Sequence, residues 1–208
     1  MDPTATRFGA HYVHGPQRCG SGPGDTAMPA LFRPGTELMV QFAGFHRDRR
    51  NIATHLVGIP LTIFAIGVLL ARPGFELAGL ALSPAWLLWA LAAAWYVSRG
   101  PLLLALAVAA LTAALVALAQ PLAAGSTPAW LAWGCASLAV GWCAQFVGHL
   151  YEGRRPPLAE EPIGWLVGPM FIAALALFAL GWLRQLASEI ERRVGPTVLR
   201  DLHAPGMR

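Results

Sequence analysis

The stretch Gln145-Phe-Val-Gly-His-Leu-Tyr-Glu-Gly-Arg-Arg-Pro156 sets a histidine, a glutamate and two arginines at the end of a long apolar segment. Residues 77–151 carry a single formal charge, Arg99. Ionisable groups at membrane depth are costly, so their presence points to function. At helical spacing Gly134, Ser137, Gly141, Gln145, His149 and Glu152 follow one another in steps of three or four and share one face. Small residues on that face let another backbone approach, and polar ones demand partners. A second stripe lies in the first apolar segment, where Asn51, His55, Gly58 and Thr62 are four, three and four residues apart. Neutral imidazole is the commonest nitrogen ligand for a metal, and Asn, Gln or Glu can orient it from behind. A set of histidines with or without a carboxylate suits iron or zinc, and two facing histidines could instead ligate a haem.

The elements that must hold these residues are membrane helices. Of 208 residues, 56% are hydrophobic and 12% charged, against roughly 25% charged in a soluble domain; the mean hydropathy is +0.52. The fold class is all-α: an integral membrane bundle of about five transmembrane helices behind a disordered N-terminal tail. Residues 1–36 are rich in Gly, Pro and charge and lack a periodic apolar pattern. The membrane domain covers 37–183, and an exposed or cytoplasmic C-terminal tail, 184–208, starts as a helix and frays. Residues 37–52 form an amphipathic approach. Spans follow at roughly 53–71, 77–97, 101–119, 129–149 and 163–183, and Gly168-Pro169 could break the last into a re-entrant piece. Arg47, Arg49 and Arg50 before the first span, with Arg154 and Arg155 after the fourth, place the N-terminus and the histidines on the cytoplasmic side. His55 and His149 then lie at about the same depth. His46, nine residues before His55, would face away on a straight helix; it joins them only if the chain bends, and Asp48 to Arg50 is the place.

Each histidine also has a plainer reading, as a hydrogen-bonded structural residue. Glu152 can be a metal ligand, an acceptor behind one, or an ion-pair partner for Arg155. Arg154 and Arg155 can bind a substrate carboxylate, or serve topology and anionic lipid. Trp130, Trp133, Trp165 and Trp182 fit an aromatic belt. Cys135 and Cys143 read as small buried side chains; with no Cys-x-x-Cys among the three cysteines, a thiolate metal site is disfavoured. The net charge of +4 is carried by arginine alone. It reads as topology and lipid-headgroup preference rather than nucleic-acid binding. A transporter is disfavoured because the second and third spans carry almost nothing polar.

The pattern His46-x4-Asn51-x3-His55-x2-Gly58-Ile-Pro-Leu61, then Gln145-Phe-Val-Gly-His149-x2-Glu152-x-Arg-Arg-Pro156 and Gly168-Pro-Met-Phe171, resembles a small integral-membrane family. That family was long known only as a domain of unknown function. It includes a fungal iron(II)-dependent 2-hydroxy fatty acid dioxygenase of α-oxidation, which resides in the endoplasmic reticulum. The resemblance covers about residues 38–183. It implies that His46, His55 and His149 bind Fe(2+) and, with Glu152, form the catalytic set. Asn51 and Gln145 would support them, and Arg154 or Arg155 would take the substrate carboxylate. The partners it implies are a fatty-acyl or lipid substrate and membrane lipids, in the inner or plasma membrane of a bacterium or the endoplasmic reticulum of a eukaryote. Three departures bear on substrate and activity. Phe45 stands where the family usually has Tyr, Ala173 to Phe178 lack the usual acidic residue, and Glu160-Glu161 replace an acidic-Asn pair. Against the enzyme stand a non-catalytic lipid-binding or structural protein of the same fold, a bis-histidine haem protein, and a metal-dependent lipid hydrolase.

Overall fold

The computed structural model describes residues 29–72, 74–77, 80–153 and 163–201. Of the tail expected to be disordered over 1–36, residues 1–28 lie outside them, as do Arg154, Arg155, Glu160 and Glu161, whereas Ala30–Phe32 form a 3-10 turn and a helix already begins at Gly35. In chain order the elements are α1 (Gly35–Gly44), α2 (Arg49–Ala71), β1 (Phe75–Leu77), β2 (Leu80–Leu82), α3 (Pro84–Arg99), α4 (Leu102–Ala123), α5 (Thr127–Glu152), α6 (Gly164–Ala179) and α7 (Arg184–Val194). The chain is all-α apart from the small antiparallel β1–β2 hairpin.

Helix limits follow local chemistry. The break between α1 and α2 falls at residues 45–48, slightly before the expected bend at Asp48 to Arg50, because Arg49 and Arg50 already belong to the first turn of α2. There Asp48 caps α2, its Oδ1 accepting from the Arg50 backbone N–H at 2.8 Å. Ser83 and Ser126 sit at the N-caps of α3 and α5, each followed by proline in the first turn, whose missing N–H costs nothing there. Gly153 ends α5 directly after Glu152. Its left-handed backbone (φ 64°) turns its N–H back onto the His149 carbonyl at 3.1 Å.

Three helices, α2, α4 and α5, are long and apolar enough to cross a bilayer, and α6 with α7 makes a fourth if the bent pair is one span. Five crossings were expected, so the count is smaller. The expected second span loses its start to the hairpin at 75–82, and the 16 residues left in α3 reach about 24 Å, short of a hydrocarbon core of about 30 Å. The expected fifth span runs unbroken through Gly168-Pro169 but ends at a turn where Gly181 and Leu183 both take positive φ, and α7 leaves at 114° to α6. Hydropathy registers apolar length and misses both breaks.

Helix α2 is central. It packs along α5 on one side and against α4, α3 and α6 on the other. The α2–α5 contact runs through glycine: a Cβ on Gly58 would stand 2.7 Å from the Gly141 carbonyl oxygen, and one on Gly141 would stand 2.9 Å from the Gly58 oxygen. The apolar core lies where α1 and α6 meet α4 and α2, centred on Met39, Val108, Met170, Phe171 and Ala174. Helix α7 packs on α1 through Ile190, and residues 195–201 continue as a strap against residues 47–50 where fraying was expected. Cys135 and Cys143, expected to be buried, are exposed, because both fall on the side of α5 turned away from α2. Trp133 and Trp182 are exposed as a belt requires, whereas Trp130 donates to the Val68 carbonyl at 2.7 Å under the Arg72 guanidinium.

Candidate metal centre

Three imidazoles arrive from three segments. His55 projects from the first turns of α2, and its Nδ1 lies 2.9 Å from the Asn51 carbonyl one turn back. His149 projects from the last turn of α5. His46 sits in the α1–α2 turn, where its ring stacks on Phe42 at 4.1 Å and 9° and its Nδ1 lies 2.7 Å from the Phe42 carbonyl. A carbonyl oxygen can only accept, so Nδ1 of His46 and of His55 carries the proton and Nε2 keeps the lone pair. All three rings are buried, at 0%, 1% and 5% exposure for His46, His55 and His149. Ring centroids are 4.5 Å apart for His46–His55, 5.2 Å for His46–His149 and 4.9 Å for His55–His149.

One nitrogen from each ring can be chosen so that all lie within 4.8 Å of one another. Three nitrogens each about 2.1 Å from one ion lie roughly 3.0–3.6 Å from one another, so ring movements of up to about an ångström close the set on one ion. Nε2 of His46 and both ring nitrogens of His149 are buried without a hydrogen-bond partner. Orphaned buried nitrogens are rare and demand an explanation, and a cation shared between them is one. Burial, and then the neighbouring His55, hold the His46 imidazole well below its ordinary pKa, in the neutral form a ligand needs. The residues present therefore fit a metal bound by three neutral imidazoles.

Glu152 stands behind these rings. Its Oε2 accepts from the backbone N–H of Arg47 at 3.1 Å, the backbone N–H of Asp48 at 2.9 Å and Nδ2 of Asn51 at 3.1 Å. It is not in the group able to share an ion. Among the described residues its partners are backbone and Asn51 donors behind the three imidazoles. Asn51 links the two layers: its side chain reaches Glu152 and the Phe45 carbonyl, and its own carbonyl receives His55. Gln145 lies one turn further into α5. Its Nε2 donates to Thr62 Oγ1 at 3.0 Å, and Thr62 Oγ1 in turn donates to the Gly58 carbonyl at 2.8 Å.

The three histidines form one wall of a cavity of about 80 Å3 that Phe42, Ile59, Ile63, Trp142 and Trp165 line with apolar surface and Gln145 and Thr62 with polar groups. Trp142 and Trp165 meet across it at 6.1 Å. Trp165 is exposed, as its lipid-interface reading expected, and also lines this cavity; sequence reasoning passed over Trp142 and the stacking of Phe42 on His46. An aromatic four residues before a candidate ligand was the signal available for Phe42.

A family model described as "2-hydroxy-palmitic acid dioxygenase Mpo1-like" matches residues 32–180. The chain belongs to the Mpo1-like family. The match spans α1 to α6, with all three histidines and Glu152, and stops short of α7. No curated protein and no solved structure matches the chain. Within this Mpo1-like protein the described residues unite His46, His55, His149, Asn51, Gln145 and Glu152 at one end of the α2–α5 pair.

Proposed function

We propose that this Mpo1-like protein is a membrane-bound, non-haem iron(II)-dependent dioxygenase of 2-hydroxy fatty acids, in which O2 is the oxidant, the bond between the carboxyl carbon and C2 breaks, the carboxyl carbon leaves as a one-carbon unit (CO2, with one water), and C2 becomes the carboxyl of an acid one carbon shorter. The observation that carries this reading is the convergence of three buried imidazoles, two with Nδ1–H committed to backbone carbonyls, on the wall of a largely apolar cavity. The family's printed description supplies the substrate class. Bound ferrous iron supplies O2 activation and a Lewis-acid anchor for the 2-hydroxy acid, using the positions that protein ligands leave open.

The chain's own residues supply the rest. The Phe42 and Asn51 carbonyls fix tautomer and ring orientation, so that the lone pairs of His46 and His55 face the centre. Phe42, Phe171 and Ile59 keep water from the ligands. The cavity of about 80 Å3 holds the reacting end of a substrate, and the acyl tail runs on along apolar helix surface. Arg154 or Arg155, directly after α5, receives the carboxylate. Under the positive-inside rule, the arginines beside His46 place this end at the cytoplasmic face. The His46 ring stands edge-on to both others at 4.5 and 5.2 Å. The flat slot that a bis-histidine haem requires is thus filled, which favours a single ion.

The test is metal analysis of anaerobically purified protein, with O2 consumption measured on 2-hydroxypalmitate, for the natural chain and His149→Ala. About one iron per chain and turnover, both lost in the variant, are expected. Wild-type protein without iron, or a variant retaining iron and turnover, overturns the proposal, and a Soret band would replace it with the haem reading.

A further inference from the structure

Two of the three histidines stand on long packed helices, while His46 stands on a four-residue turn. Turns sit at the low-stability end of a fold unless their backbone groups are tied down. Here they are tied from both sides. On the inner side Glu152 takes the N–H groups of Arg47 and Asp48, and Asn51 donates to the Phe45 carbonyl. On the outer side residues 195–201, beyond the family match that ends at 180, lie along the turn like an added strand. The Val198 N–H donates to the Arg47 carbonyl at 2.9 Å, and the Arg49 N–H donates to the Val198 carbonyl at 3.0 Å. The Asp48 carboxylate, fully buried, accepts from the Arg200 N–H at 2.9 Å and pairs with Arg50 at 2.8 Å; Arg50 also reaches the Arg200 carbonyl at 2.6 Å. Arg47 donates to the Gly195 carbonyl at 2.5 Å, and Arg193 of α7 pairs with Glu37 of α1 at 2.6 Å.

We propose that this C-terminal strap is a positioning element for the metal centre, with the Val198 backbone and the Asp48 carboxylate as its latch on the His46 turn. It seals the side of the turn opposite Glu152 and holds His46 within reach of His55 and His149. The inference rests on the metal reading above, and its test separates the two. Three full-length proteins are compared: wild type, Val198→Pro, which removes the N–H that bonds Arg47, and Val198→Ala, which keeps it. A chain ending at Val194 is a further variant. Co(II) is titrated into the apo-proteins and its ligand-field absorption followed, and amide exchange of residues 45–49 is measured without metal.

Expected are Co(II) binding weaker by roughly 10- to 100-fold in Val198→Pro and in the truncated chain, as for loss of other orienting partners. Residues 45–49 should exchange faster in both while α2 and α5 stay protected, and Val198→Ala should match wild type in both readouts. Unchanged affinity and unchanged exchange in Val198→Pro overturn the strap. If wild type binds no Co(II), the metal reading fails, and the exchange arm still decides whether the strap holds the turn.

Discussion

The α2–α5 pair and the α3–α4 pair are both largely apolar, yet only the first brings buried histidines and a buried glutamate together. In α4 the buried side chains, such as Leu104, Ala105 and Val108, are apolar and join the core, and leucines such as Leu102, Leu106 and Leu118 face outward. The few polar groups there are used up locally: Thr112 bonds the Val108 carbonyl within its own helix, and Trp89 bonds the Ala109 carbonyl of its neighbour. In α2–α5 the facing glycines bring the backbones together, and Thr62, Gln145, Asn51, His55, His149 and Glu152 fill the seam. Lipid tails are as apolar as leucine, so apolar content does not drive helices together; close approach and paired polar groups do. The lesson is that in a chain of uniform hydropathy, glycine and polar residues on one stripe mark the working interface.

The comparison breaks most completely if a ligand is removed. His46→Ala, His55→Ala and His149→Ala should each lower iron content to background. Turnover should fall by more than the roughly 10- to 100-fold expected for loss of an orienting partner. Retention of iron by any one of them would remove that residue from the centre.

Next comes the seam itself. A Cβ on Gly148 would overlap Thr54 Oγ1 and stand 2.5 Å from Asn51 Oδ1 and 3.0 Å from His55 Nδ1. Gly148→Ala should destabilise the protein by about 1–3 kcal/mol and weaken metal binding. Gly125→Ala, in the loop after α4 and with its nearest neighbour at 3.4 Å, should leave both unchanged. Equal thermal midpoints in detergent for the two variants would erase the distinction between the helix pairs.

Glu152 gives a graded test. Glu152→Ala strands three donors, at a cost of about 1–3 kcal/mol for the buried groups left unpaired. Glu152→Gln keeps an acceptor oxygen and should lie between it and wild type in stability and in metal affinity. A Gln variant as impaired as the Ala variant would assign the residue a role that needs its charge.

The smallest effect belongs to the other pair. Thr112→Ala removes a bond to its own helix and one buried methyl and should cost about 1 kcal/mol, with turnover unchanged. A large loss would mean that α3–α4 also contributes to function.

Much of the site was legible before any coordinates. The period of 3.6 residues put His55 and His149 on inward stripes, and the charge clusters set them at one level. The nine-residue offset of His46 meant it could join them only through a bend, expected at Asp48 to Arg50 and found just before it, at residues 45–48. Where sequence reading fell short, long-range contact decided the outcome. The number of crossings was overestimated because a hairpin and a left-handed turn interrupt stretches of unbroken hydropathy. The expectation that the tail frays ignored partners some 150 residues earlier in the chain.

Composition and periodicity by themselves determined that this chain is a helical membrane protein with histidines gathered on two inward faces, because amphipathic spacing is a local property of the chain. Tertiary structure alone decided that Glu152 accepts from the backbone of the His46 turn, that Trp142 and Trp165 wall the cavity, and that residues 195–201 lie along the turn. Which donor reaches which acceptor depends on segments about a hundred or more residues apart, and no local pattern encodes that pairing.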